Sequence, residues 1–514
     1  MTVGDTSDVK IGLATIWAIG VGSALGGDYF GWQFCLYGGF GSAFISVLYC
    51  GIFYWLYAGA ITELAARYRS SGGSFDFVER ALGRRYAALM GVLGLLKLIL
   101  ANCAVALAVS SYMVSGGMPK FLQVFCWLGM YGIFTFLDCS GIHQSANIQI
   151  GGTILCVFIL LLYSISCFTK FNVNNILSTN LYKDGLIGYL KGLPFALQFY
   201  DGFEEVPLLI GYTKNPEKTI PQAIFICYVT VAIIAFMILI GGSGASPIST
   251  ILNSEAPLMI GIDAVYGTGT IISDIIAYVI VIGLIVNFFS FTVFTSQQVC
   301  AIAEAGQLPS FLKYRHPEHN APISASITSA IVGIIITAAF ALLFGEDGAQ
   351  NTLVTATLMP AVLGYMLLLE CIVEVRKSTD NSNNKITFQD EKKLGYEPGP
   401  LKFAYGTFGA RLAQLMCFIC VLALIILAQS NKDFMYGLLV LFIIGVIVFV
   451  LMNYYVDELE ENEKYIHVGD VSDDEGRLIH ELQGSNYNNH KLDYISSPVH
   501  ENDSDLYSPS VYQR

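Results

Sequence analysis

Runs of about twenty mostly apolar residues recur along this chain, each long enough to cross a bilayer as a helix. They fall at 11–38, 40–66, 86–114, 121–138, 147–168, 190–211, 219–243, 272–303, 321–344, 350–373, 405–429 and 434–455, called spans 1 to 12 below. A stretch such as Ile154 to Leu162 is continuously apolar rather than alternating, which argues against a transmembrane barrel. Only 13% of the 514 residues are charged and 54% are hydrophobic, whereas soluble domains carry about 25% charged residues. An all-α integral membrane protein is the class that fits. An ordinary soluble enzyme, a disordered chain and a nucleic-acid binder do not fit. The net charge of −13 repels phosphates.

Residues 1–10 lack a secretory leader pattern, so span 1 is expected to act as its own insertion signal. With the N-terminus placed in the cytosol, seventeen Lys and Arg fall on the cytosolic side and five on the other. That asymmetry predicts both termini in the cytosol of a multi-pass protein, with the plasma membrane as the expected location. A further cytosolic loop is expected at 374–404. The segment 456–514 is rich in Asp, Glu, Asn and Ser and poor in aliphatic residues. It is expected to be a disordered acidic tail, available to regulatory or trafficking proteins. Ser497-Pro498, Ser508-Pro509 and Tyr465-Ile466-His467-Val468 match short modification and sorting patterns that are common by chance. Much of the negative charge lies in this tail, so the overall charge says little about any substrate.

The twelve Cys lie mostly in apolar spans and read as small buried hydrophobes. Cys417 and Cys420 have redox spacing but sit inside span 11, without the strand–helix context of a thioredoxin site. His316 and His319 flank Pro317, which breaks the helical face a zinc pair would use. No phosphate loop or nucleophile elbow occurs. No metal and no cofactor is expected, and an ion or substrate gradient is the expected energy source.

Two spans are interrupted. Span 1 contains Gly20, Gly22, Gly26, Gly27 and Gly31, with Asp28 among them. Each Gly weakens a helix by about 1 kcal/mol relative to Ala. A bilayer tolerates freed backbone only where it packs on protein or lines a cavity. Gly22/Gly26 and Gly27/Gly31 also have the spacing of close helix packing, but packing does not explain Asp28, because a charge at that depth is costly and usually functional. Span 6 holds Pro194, Asp201, Gly202, Glu204, Glu205 and Pro207. Spans 1 and 6 open two successive five-helix halves. Paired Gly/Pro interruptions at corresponding positions point to a transport site.

Further motifs join these breaks. Glu63-Leu64-Ala65 precedes Ser71-Gly72-Gly73-Ser74-Phe75. Gly202-Phe203-Glu204 precedes Lys214-Asn215-Pro216-Glu217-Lys218-Thr219-Ile220-Pro221. Ser296, Ala301, Ala303, Gly306 and Leu308-Pro309 follow span 8. Together the motifs resemble those of the amino acid–polyamine–organocation superfamily, over about residues 11–455. Arg69, Phe75, Gln297 and Glu304-Ala305 stand where that family has other residues, and Ile210-Gly211-Tyr212 replaces an acidic triplet. The stretch Gly27-Asp28-Tyr29-Phe30-Gly31-Trp32 is most similar to the ethanolamine-permease branch, with Gln33 in place of Asn. The resemblance implies a leucine-transporter-type fold: two inverted five-helix repeats at 11–168 and 190–373, plus two further helices at 405–455.

It also implies a substrate between the two breaks. Gly22, Ser23, Gly26, Gly27, Asp28 and Tyr29 on one side, and Phe199, Tyr200, Asp201, Gly202 and Phe203 on the other, are the candidate binding residues. Tyr29, Phe199, Tyr200 and Phe203 are candidate walls for a cation, or plain packing. An ionised Asp28 favours an ammonium group over a carboxylate, so a small organic amine or amino acid is expected, with Asp201 as a second acceptor. For ion coupling the candidates are Asp28, Lys97, Cys156, Glu204, Glu205, Ser290 and Thr292. Cys156 is reached by matching Ser145-Ala146 to the family's fifth helix, where some proton-coupled relatives place a Lys. Lys97 replaces that cation, pairs with Glu204, or snorkels. The hydroxyls of span 8 ligate sodium or satisfy backbone carbonyls. A proton is the expected coupling ion, in symport by alternating access. A polyamine or cationic amino acid permease and a non-transporting nutrient sensor are the alternatives.

Overall fold

The computed structural model describes residues 10–68, 70–381, 406–430 and 432–471. Residues 1–9, most of the 374–404 loop and the tail from 472, with its Ser-Pro pairs, lie outside the described residues. The chain to Glu458 is one compact unit. From Leu459 on it is a second, described here only as the end of the helix Lys432–Val471, which runs past Val456, where the sequence suggests the tail begins.

Ten helices among the described residues are long and apolar enough to cross a membrane. They correspond to spans 2–5 and 7–12, from Phe40–Tyr68 to Met435–Glu460. Spans 1 and 6 are the two that lack a long helix, because both are broken. Span 1 runs as a helix over Leu13–Ala24, a single turn over Gly26–Tyr29 and a 3₁₀ stretch over Trp32–Gly38. Gly31 between the last two has φ +91°, a conformation that side chains disfavour. Span 6 consists of two 3₁₀ stretches, Leu193–Phe199 and Phe203–Tyr212, separated at Gly202. Pro207 denies the second stretch a backbone donor.

The two breaks lie directly on one another. A Cβ on Gly27 would overlap the backbone carbonyl of Gln198, and one on Gly202 would come within 2.6 Å of the Ser23 carbonyl oxygen. Their far ends are also joined: Ile11 N–H donates to the Tyr212 carbonyl (2.7 Å) and Lys214 N–H to the Ile11 carbonyl (3.1 Å). Span 7 then starts at Pro216, with Pro in the first turn, where its missing donor costs nothing.

Span 3 (Arg84–Ser115) is the central pillar, with 78% of its most apolar window buried in protein, against 17% for span 9 (Ile323–Gly345). Spans 4, 9 and 12 form the apolar exterior. Phe121, Phe136, Leu342 and Phe442 are all at least 70% exposed there, as expected of side chains that face lipid. All twelve Cys are free, and Cys417 and Cys420 are buried side by side in span 11.

Candidate functional site

A small cavity of about 20 Å³ lies between the breaks. Ser23, Gly26, Gly27 and Phe30 line it from span 1, and Gln198 and Asp201 from span 6. Span 3 contributes Ala101 and Ala104, span 8 Asn287 and Phe291, and span 10 Thr357. The small residues follow from what the place requires: room beside freed backbone.

Asp201 belongs to a buried ionic cluster. Lys97 Nζ lies 3.0 Å from Asp201 Oδ1, 2.5 Å from Glu204 Oε1 and 2.8 Å from Glu205 Oε1. The Tyr365 hydroxyl of span 10 donates to Asp201 Oδ1 (2.7 Å) and lies 2.5 Å from Glu204 Oε1. It also meets the Tyr54 hydroxyl of span 2 at 3.0 Å. Gly202 N–H donates to Glu204 Oε2 at 2.7 Å. All four charged residues are at least nine-tenths buried. Lys97 therefore does not snorkel; it is the shared partner of three carboxylates from the second break.

Asp28 stands apart. It is wholly buried, neither carboxylate oxygen has a hydrogen-bond partner among the described residues, and it is not among the residues that line the cavity. The candidate aromatic walls also face elsewhere. Tyr29 fills the space left by Gly283. Phe199 packs on Trp32 at 5.8 Å between ring centroids, while Tyr200 and Phe203 pack on Tyr54 at 5.4 and 5.7 Å. Packing accounts for these four rings, and the cavity's own aromatics are Phe30 and Phe291.

Asn287, a lone amide in an apolar span, was not singled out from the sequence. Its Nδ2 donates to the carbonyls of Gly22 (3.0 Å) and Ser23 (2.5 Å). Its Oδ1 is buried, without a donor, and next to Gly26. Tyr365 was missed for the same reason. The coupling candidates in span 8 satisfy local partners: Ser290 Oγ donates to the Val286 carbonyl (3.1 Å) and Thr292 Oγ1 to the Phe288 carbonyl (2.9 Å). From span 5 it is Gln149, not Cys156, that reaches Ser290, by a short hydrogen bond from Nε2. Thr153 donates to the Ala18 carbonyl at 2.8 Å. Cys156 lies instead beside the Tyr29 hydroxyl.

Two motif departures meet at the end of span 8. Arg315 Nε donates to Glu304 Oε1 (2.7 Å) and Nη1 to Gln297 Oε1 (3.2 Å) and the Tyr212 hydroxyl (2.7 Å). Glu63 of the first motif is held by Arg376 from span 10. After Pro317 a turn brings ligating atoms of His316, Glu318 and His319 within 4.8 Å of one another. Pro317 does interrupt helical structure there, and the turn in its place is what gathers the three side chains. His316 Nδ1 is used up as acceptor for the Glu318 and His319 amides, so the cluster works as a turn.

Against known proteins, the chain is similar to the Arabidopsis thaliana vacuolar cationic amino acid transporter 4, at 24% identity over 480 residues, covering 83% of this chain and 77% of that one. It is also similar to a probable agmatine/putrescine antiporter, AguD, from Lactococcus lactis, at 23% identity, covering 62% and 73%. The crystal structure of MhsT in complex with L-phenylalanine shares the fold, with TM-score 0.57 at 14% identity over 80% of this chain and 98% of that one. The fold is thus of the leucine-transporter type, and the chain is a multi-pass membrane protein. The pattern of the amino acid permease family matches residues 11–451. With that match, ten membrane-length helices among the described residues and two breaks in contact, the chain belongs to the amino acid permease family, within the amino acid–polyamine–organocation superfamily.

Proposed function

We propose that the chain is a secondary transporter of a small cationic amine, linked to protons and working by alternating access around the two breaks. The observation that carries this reading is the pairing of acceptors on the cavity wall: the Asp201 carboxylate and the unpartnered Oδ1 of Asn287. Both call for N–H donors, and a carboxylate in a low-dielectric site favours a cation. The similarity of Gly27 to Trp32 to the ethanolamine-permease branch agrees with a small amine. So do the relatives named for cationic amino acids and for agmatine and putrescine.

A cationic amino acid is the second reading, favoured by the Arabidopsis relative. Both readings place the protein in the plasma membrane with its termini in the cytosol, the acidic tail serving partners there. Binding of labelled ethanolamine, putrescine, arginine and a neutral amino acid to the purified chain tests them. Competition among the amines, with neutral amino acids inert, is the expected result. Preferred binding of a neutral amino acid refutes it.

A further inference from the structure

The cluster beside the cavity is unbalanced. Three carboxylates surround one ammonium, all of them buried. Asp201 Oδ1 and Glu204 Oε1 bind the same Lys97 Nζ and the same Tyr365 hydroxyl, so these two oxygens are close neighbours. Buried carboxyls this close, with so little compensation, do not all ionise together, and such a pair shares a proton. The other titratable groups around the pair are Glu205 on the same break, Tyr54 and Tyr57 from span 2, and Asp28 on the Tyr200 side. None of these four supplies a second positive charge, and Lys97 is the one cation that the described residues place on the pair.

Asp201 also lines the cavity, and across it Asn287 Oδ1 lacks a donor. The same carboxylate thus faces a tethered ammonium on one side and the cavity on the other.

Resting on the reading that the cavity takes an amine, we propose that the amine enters by exchange. Its ammonium donates to Asp201 and to Asn287 Oδ1. Lys97 stays with Glu204 and Glu205, and the proton shared by the Asp201–Glu204 pair leaves to water. Within the cluster one ammonium group takes the place of one proton, so the charge of the cluster itself is constant through the step, and a second ammonium of a diamine lies outside this balance. The consequence for transport is exchange of amine against protons, in place of the symport expected from the sequence.

The test uses the full chain in lipid nanodiscs, with putrescine, agmatine and ethanolamine as probes. Proton release is read with a pH indicator in weak buffer, and by calorimetry in two buffers of different ionisation heat. About one proton released per amine is expected, with affinity rising about tenfold per pH unit where release is seen. Glu204→Gln is expected to keep amine binding and lose both the release and the pH slope. Binding without proton release in the unmodified chain overturns the exchange alone. Release that persists in Glu204→Gln also overturns it, by placing the proton elsewhere. If none of the amines binds at any pH between about 5 and 8, the underlying reading fails and this proposal fails with it.

Discussion

Asp28 and Asp201 sit in the two breaks of one pair of spans and are almost equally cut off from solvent, yet their surroundings differ completely. Asp201 has Lys97 and Tyr365 as partners and a cavity in front of it. The Asp28 carboxylate has no hydrogen-bond partner among the described residues, and Asp28 does not line that cavity. The sequence presents both as carboxylates at membrane depth, and Asp28, inside the glycine-rich stretch, is the more conspicuous of the two. Depth marks a residue as unusual; partners and a neighbouring space give it a chemistry. On the function proposed above, the difference favours Asp201 for recognition, and among the described residues no hydrogen-bond partner compensates a negative charge on Asp28.

The largest expected effect comes from removing the shared partner. Lys97→Met leaves three buried carboxylates without a cation, a defect worth about 3–5 kcal/mol when a buried pair is broken. Thermal unfolding in detergent will show it as a steep loss of stability, partly restored by adding Glu205→Gln. An unchanged melting curve contradicts the ionic cluster. Next comes Asp201→Asn, which removes a charged acceptor from the cavity wall and is expected to weaken amine binding by about ten- to hundredfold. Equilibrium binding of putrescine reads it directly.

Gly202→Ala acts on the contact between the breaks. Gly202 has φ +129°, and a Cβ there would press on the Ser23 carbonyl. A loss of about 1–3 kcal/mol is expected in unfolding measurements. Asn287→Ala should weaken amine binding by about tenfold or less, the scale of a neutral hydrogen bond. Smallest of all is Asp28→Asn, which keeps the shape and removes only a group without partners, so putrescine affinity is expected to stay within about twofold. Abolished binding in Asp28→Asn, with binding intact in Asp201→Asn, would invert the comparison.

The spans were legible because crossing a bilayer imposes a length and a composition on every helix. The breaks were legible because Gly, Pro and charge have no other reason to cluster at that depth. Side-chain partners were not, since they join residues far apart in the chain. Asn287 bonds to Gly22 and Ser23, and Tyr365 to Asp201 and Glu204; in their own helices each is a single polar group without a pattern. Cys156 shows a finer limit. Gln149 and Cys156 are seven residues apart, two turns along one face of a helix. The two therefore share a face about 10 Å apart along the axis, and it is Gln149 that bonds to Ser290 of span 8.

The ties between spans 1 and 6 have a mechanical consequence. The two are joined at one end by the Ile11, Tyr212 and Lys214 backbone hydrogen bonds and interlock at the breaks, where Gly27 lies close on Gln198 and Gly202 on Ser23. Parts riveted at two levels turn as one lever. Any motion that opens the cavity has to carry both together past the pillars around them, or shear a rivet.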